Sequence, residues 1–467
     1  MTDTVPASRQ GVEIMDPVLL SRMQFGLSVG FHFIFPTITF GLTLMIVIFE
    51  TMYLRRKEEV YREASTFLIR ILALVFVLGV ATGLVLSVTI GTNWSSFSRL
   101  TGNVFGIALA AEGITAFFLE STFLGILLFA RQRVSKRVYW FSALMVTVGA
   151  FLSGVWILIA NSWMQTPAGF TCTPSPCGPG SVIALSDFWA ATLNPSIGVR
   201  FAHTIIAGVA SGGLLVAGIG AYYLLKGRHV EIARKFVKYS MIVLVFTAAA
   251  IPLTGDLSAR EVASYQPAKL AAFEGLWNTR TNAPLSLFGM PDVNAGETYF
   301  YVGIPGMLSY LLYGDVNAPV TGLDAFNASV RPPVFLSFVA WHTMVGIGVV
   351  LAGFFVLGAF LMWRKKLWTS KWYLKLMFLA IPLPFISTEI GWVAAEVGRQ
   401  PWTVYNVLLT ADAASKVVPD WQILVSLSLL AIVYAFLFMI FFVRLRKIIM
   451  DGPREAGEPA GEGGAYG

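Results

Sequence analysis

The chain has 467 residues, of which 56% are apolar, 14% aromatic and 13% charged. Soluble domains carry about 25% charged residues, so this composition excludes an ordinary soluble enzyme, a disordered chain, a coiled coil and a disulfide-built scaffold. The formal net charge of +7 is not a nucleic-acid footprint, because most of the basic residues lie where membrane topology puts them, and no nucleic-acid partner is expected.

Nine apolar runs follow in order, over residues 24–53, 67–91, 104–130, 138–163, 199–225, 239–254, 333–362, 372–395 and 421–443. A bilayer is crossed by about 20 apolar residues in a helix. Isolated strands leave backbone groups unsatisfied in lipid, and a barrel would show ~10-residue alternating segments. The pattern predicts an all-α polytopic membrane protein with nine transmembrane helices.

The segments after spans one, three, five, seven and nine are basic. They carry Arg55, Arg56, Lys57 and Arg62; Arg131, Arg133, Lys136 and Arg137; Lys226, Arg228, Arg234, Lys235 and Lys238; Arg364, Lys365, Lys366, Lys371 and Lys375; and Arg444, Arg446, Lys447 and Arg454. Basic connections stay in the cytoplasm, which places the N-terminus outside and the C-terminus inside. Residues 1–20 lack an apolar stretch and carry acids, so no cleavable signal peptide is expected. The chain divides into spans one to six over 1–254, an outer loop over 255–332, spans seven to nine over 333–445, and a disordered cytoplasmic tail over 446–467. In the outer segment 164–198, Cys172 and Cys177 lie close enough in sequence to favour a disulfide. The 255–332 loop is too long for a plain connection and is expected to carry short structure of its own.

Ionisable groups at membrane depth are rare and usually functional. Of the four histidines, His229 falls in a basic connection, whereas His32, His203 and His342 fall inside spans. On the predicted topology His32, His203, His342, Met344, Glu112 and Glu396 all come to the outer half of the membrane, from five different helices. His and Met without a cysteine cluster suit haem better than iron–sulfur. His203 could pair with Met344 or with His342; the latter two are ~200° apart around one helix, so only one can face a given haem. Glu112 and Glu120, ~12 Å apart along span three and ~80° around it, suit a proton relay. Glu389 and Glu396 share a face of span eight. Glu50 ends span one and is expected to pair with a basic connection.

These residues sit in ordered strings. EIGWVAAEVGRQPW (389–402) resembles the signature of subunit I of the cytochrome bd quinol oxidases. SRMQFGLSVGFHFIF (21–35), GVATGL (79–84), GTNWS (91–95), AEGITAFFLESTF (111–123), WILIANSWMQTP (156–167), LNPSIGVRFAHT (193–204), KLAAFEGLW (269–277) and IPLPF (381–385) resemble that family too. The resemblance spans essentially the whole chain. It implies two four-helix bundles plus one peripheral helix, in a bacterial or archaeal cytoplasmic membrane. It implies His203 and Met344 as axial ligands of a low-spin haem b. His32 and Glu396 would be the protein ligands of a high-spin haem b and a haem d, or a further haem b, in an order the resemblance leaves open. Glu112 would stand beside that haem pair, and Glu120, with Ser121 and Ser153, would deliver protons. Arg399 and Gln400 would meet haem propionates, and Trp392 is a packing or electron-path residue. Lys269 and Glu274 match the family's quinol pair on the outer loop, which is of the short kind. His342 departs from the pattern, standing where many relatives have Arg.

The resemblance thus implies a respiratory oxidase subunit that oxidises membrane quinol and reduces dioxygen to water without pumping. It would work with a subunit II and in some cases with a small single-span subunit. Two other classes fit the residues less well. A quinone-linked di-haem electron-transfer subunit leaves His32 and Glu396 unexplained. A proton-coupled transporter does not need histidines and Met on one side of the membrane.

Overall fold

The computed structural model describes residues 15–178 and 181–453. The expectations for residues 1–14 and for the tail beyond 453 lie outside them. Among the described residues nine helices are long and apolar enough to cross a membrane, in the order the apolar runs predict.

Helix α1 (Pro17–Arg56) starts at Asp16, whose carboxylate accepts from Val18 N at 3.0 Å, and at Pro17, whose fixed φ suits a first helical position. It stops at Arg55 and Arg56, where Lys57 turns left-handed (φ 60°). Helix α2 (Glu59–Asn93) returns. Span three, α3 (Ser95–Phe129), contains two π-helical stretches, Gly102–Gly106 and Glu112–Phe117. Helix α4 (Lys136–Gln165) follows a Ser135 cap. The hairpin β1–β2 (Phe170–Thr173, Val182–Leu185) then carries the expected Cys172–Cys177 disulfide. Next come α5 (Ile197–Lys226) and α6 (Val230–Tyr265).

Beyond α6 lie α7 (Pro267–Glu274), the antiparallel hairpin β3–β4 (Leu285–Asp292, Glu297–Ile304) and α8 (Met307–Tyr313). Span seven is α9 (Val334–Trp363), span eight α10 (Lys371–Val397), re-initiated at Pro382, and span nine α11 (Asp420–Asp451).

Two boundaries differ from the sequence reading. Helix α6 continues through Pro252 to Tyr265, so the loop begins at 266 rather than 255. The charges that end the apolar run are accommodated within the helix: Arg260 pairs with Asp256 one turn away at 2.8 Å, a helix-supporting spacing. At the other end α11 runs to Asp451, so residues 446–451 are helical rather than tail.

Helix α1 lies in the middle, packed on α2, α4, α5, α10 and α11, while α5 packs on α1, α4, α6 and α10. The α1–α5 crossing is a backbone contact. A Cβ added at Gly41 would lie 2.6 Å from the Gly212 Cα, and one added at Gly212 would lie 2.6 Å from the Gly41 Cα. Small residues allow this approach, which replaces hydrophobic drive in lipid. At the basic ends, Leu42, Met45, Phe49, Leu68, Ile71, Val216 and Phe236 form a close-packed core. Within it Glu50 is buried, accepting from Ser65 Oγ and, at 2.9 Å, from Arg131 Nη2. The Arg131 guanidinium also lies 4.4 Å over the Tyr139 ring. Glu50 is therefore the partner of a basic connection, as expected.

Candidate functional site

His32 on α1 and His203 on α5 are held in the same way. His32 Nδ1 lies 2.9 Å from Thr82 Oγ1 on α2, and His203 Nδ1 lies 2.9 Å from Thr254 Oγ1 on α6. Each threonine hydroxyl gives its one proton to a carbonyl in its own helix, Thr82 to Leu78 O at 2.8 Å and Thr254 to Ala250 O at 2.9 Å. A hydroxyl whose proton is spent can only accept from the imidazole. With the hydroxyl proton on that carbonyl, the ring proton lies on Nδ1 and Nε2 presents a lone pair. This is the arrangement in which a second group orients a metal-binding histidine.

A glycine follows each threonine and leaves room over the ring. A Cβ at Gly83 would lie 3.2 Å from His32 Cε1, and one at Gly255 would lie 3.7 Å from His203 Cε1. The sequence reading missed Thr82 and Thr254 as site residues. Their signal is a repeated Thr-Gly step, in Ala81–Leu84 and in Leu253–Asp256.

Met344 on α9 meets another glycine, on α10. A Cβ at Gly391 would come within 2.6 Å of the Met344 sulfur, so the thioether packs directly on this glycine. His342, the competing ligand on the same helix, is already committed. Its Nδ1 lies 2.9 Å from Phe338 O, its Nε2 lies 3.0 Å from Ser286 O, and its ring stacks on Phe338 at 4.0 Å. It faces the β3–β4 hairpin and has no nitrogen left for iron.

At the end of α10, Glu396 accepts from Asn161 Nδ2 at 2.9 Å, Gln165 Nε2 at 3.3 Å and Arg399 Nη2 at 2.5 Å. An ionised carboxylate offers about four lone-pair positions, so one remains. Arg200 Nη2 donates to Asn161 Oδ1 at 3.0 Å. Around this cluster Arg200 Nε and Arg399 Nε and Nη1 are buried without a hydrogen-bond partner among the described residues. Buried guanidinium N–H groups are costly to leave unmade, and here they point to an anionic group. Gln400 Oε1 accepts from Thr410 Oγ1 at 2.8 Å, and its Nε2 donates to Glu396 O at 3.4 Å. Trp392 stands one turn before Glu396 on α10, with Glu389 on the same helix reaching towards Gly30 of α1.

The residues present fit haem. Imidazole and thioether donors come singly, and no group of three or more His, Cys, Asp or Glu is placed to hold a bare ion among the described residues. A macrocycle supplies the remaining nitrogens, and its propionates suit the unsatisfied arginine N–H groups.

The acids of α3 both face α4. Glu112 accepts from Ser153 Oγ at 2.8 Å, and Glu120 packs over Gly149, where an added Cβ would lie 2.9 Å from the Glu120 Cβ. Ser153 thus partners Glu112 rather than Glu120, and the Ser121 hydroxyl turns back to Phe118 O at 3.3 Å. The π-helical turn from Glu112 to Phe117 lies between the two acids, so the regular-helix phase used to relate them does not hold. Such turns concentrate at functional sites.

Lys269 and Glu274 do not face each other. Both are buried, on opposite sides of α7. Lys269 Nζ donates to Gln165 Oε1 at 3.0 Å, Gln266 Oε1 at 3.1 Å and Ala395 O at 2.9 Å. Through these three contacts Lys269 ties the loop to α4 and α10. Burial pushes its amine well below the usual value, and the Arg200 charge adds to this. Glu274 accepts from Ser286 N at 2.9 Å, while Ser286 Oγ donates to Glu274 O at 2.6 Å. Burial raises the Glu274 carboxyl, partly offset by His342.

The comparisons with known proteins agree with one another. Residues 20–453 match the family model for cytochrome bd terminal oxidase subunit I. The chain is 35% identical to the cytochrome bd ubiquinol oxidase subunit 1 of Bacillus subtilis (strain 168), over 93% of this chain and 94% of that one. It is 31% identical to the cytochrome bd-II ubiquinol oxidase subunit 1 of Escherichia coli (strain K12), over 94% and 97%. Its fold is similar to the bd oxidase of Geobacillus thermodenitrificans, with a TM-score of 0.87, 31% identity, and 94% and 99% of the two chains covered.

Proposed function

Since the chain belongs to the cytochrome bd terminal oxidase subunit I family, we propose that it is the subunit of a bacterial terminal quinol oxidase in which quinol is oxidised and dioxygen is reduced to water. The observation that carries this reading is the pair of histidines on different helices, each with Nδ1 set against a threonine hydroxyl of a neighbouring helix.

In this reading His203 and Met344 hold a low-spin haem b. His32 and the remaining lone pair of Glu396 serve a high-spin haem b and a haem d, or a further haem b. Haem, when bound, supplies one-electron redox chemistry and an open iron position. Arg200 and Arg399 neutralise propionate charge with their unsatisfied N–H groups. Glu274 on the loop takes a proton from quinol, and Lys269 clamps that loop onto α10. Glu112, with Ser153, and Glu120 hold protons on the α3–α4 face for transfer to the reduction site.

The basic connections lie in the cytoplasm, with the N-terminus and the 266–332 loop outside. Quinol protons then leave on one side and chemical protons arrive from the other, so sidedness alone builds a proton motive force. The subunit works in the cytoplasmic membrane with a subunit II, and a small single-span subunit is compatible with the exposed apolar faces.

His203→Ala tests the assignment. It should remove the low-spin haem from the purified complex and abolish quinol-driven oxygen uptake while leaving the other haems in place. Retention of all haems with normal uptake would contradict it.

A further inference from the structure

The β3–β4 hairpin has a surface that the functional reading does not explain. It carries no charged residue over Leu285–Pro291 or over Thr298–Ile304. Its large side chains stand in the open: Phe288 is 63% exposed and Phe300 78%, with Leu287, Met290 and Val302 each more than half exposed. Single exposed apolar residues need no explanation, but a contiguous set marks an interaction surface. Charge is confined to the tip, where Asp292 closes the turn by accepting from Asn294 N and Ala295 N.

The hairpin's depth follows from its partner. It packs beside the first turns of α9: Ser286 O meets His342, and a Cβ at Gly289 would lie 3.4 Å from the Phe338 ring. Helix α9 ends at the basic Arg364. Counting back about 20 residues from there crosses ~30 Å of hydrocarbon and reaches Met344. Phe338 and His342 stand within about 10 Å beyond that edge, at 1.5 Å per residue. This is the headgroup layer, where aromatic belts lie. An uncharged, aromatic surface at headgroup depth is suited to lipid.

We propose that the outer surface of the β3–β4 hairpin rests in the headgroup layer of the bilayer, so that Glu274 beneath it faces the membrane, and that the apolar tail of quinol reaches it sideways from lipid past Phe288 and Phe300. The second half rests on the reading of Glu274 as a quinol residue; the first does not.

The chain's two cysteines are joined to each other, so Phe300→Cys supplies its one free thiol for an environment-sensitive fluorophore. The assembled complex is placed in nanodiscs of mixed phosphatidylethanolamine and phosphatidylglycerol, with complex lacking the new cysteine as the blank. Headgroup-labelled quencher lipids should dim the probe several-fold more than aqueous iodide. Stronger quenching by iodide would put the hairpin in water, and quenching by neither would put it under protein; either overturns the placement.

The route is tested with Phe288→Ser/Phe300→Ser, with haem spectra as a check on folding. KM for a long isoprenoid quinol should rise about tenfold, from the lost apolar contact, while KM for a tailless quinol stays unchanged. An equal rise for both, or no rise for either, would overturn the lateral route. If the unsubstituted complex oxidises no quinol, the proposed function fails and the route with it, whereas the quenching experiment still decides where the hairpin lies.

Discussion

His32 and His203 are each placed by a threonine about fifty residues away on a neighbouring helix, with a glycine beside it to clear the ring. Outer hydrogen-bond partners of this kind usually change metal holding by about ten- to a hundredfold. Thr254→Val should therefore lower retention of the low-spin haem by a factor in that range while the other haems stay, as read by haem content after dialysis; full retention would show that the hydroxyl does not orient His203. A second prediction concerns Glu274. Its carboxyl is raised by burial, so it stays protonated, and unable to take a proton from quinol, to a higher pH than the ~4.3 of a free glutamate. Quinol oxidation limited by this step should rise with pH through a value above that range, and Glu274→Gln should flatten the rise. An unaltered pH profile in the variant would remove Glu274 from the proton path. The imidazoles were legible because histidine is rare in this chain and rarer still at membrane depth. Thr82 and Thr254 were not, because a threonine in an apolar helix ordinarily bonds its own backbone, and its second, accepting role exists only after the helices pack. Lys269 was legible as important, but its partners Gln165, Gln266 and Ala395 come from three segments that only the fold brings together.

At the scale of elements, the nine spans were readable from apolar runs alone, since lipid leaves a helix as the main way to satisfy a backbone. Two features were not. Helix α6 looked finished at residue 254 because charges follow, yet Asp256 and Arg260 pair along the helix. The π-helical stretches of α3 carry no periodicity signal, although one of them begins at Glu112 itself. The crossing of α1 and α5 offers a direct test of packing. Gly212→Leu would drive a side chain into the Gly41 backbone, and overpacking of this kind typically costs about 1–3 kcal/mol, occasionally more. The variant should show a lowered melting temperature and reduced recovery of assembled complex. An unchanged melt would mean that the two helices have slack not evident in their contact.

For the whole molecule, α1 packs against α2, α4, α5, α10 and α11, and the candidate donors His32, His203, Met344 and Glu396 come from four different helices. Glycines lie against three of those donors: Gly83 at His32, Gly255 at His203 and Gly391 at Met344. Buried arginine N–H groups of Arg200 and Arg399 await an anion there. Together these features point to haem binding. A dithionite-reduced minus oxidised visible spectrum of the purified, assembled complex tests it most directly. Haem b bands should appear, together with a chlorin-type band or a second b-type component from the His32–Glu396 pair. An intact, folded complex with no haem bands would contradict it and return the buried carboxylates of α3 and α10 to ion transport.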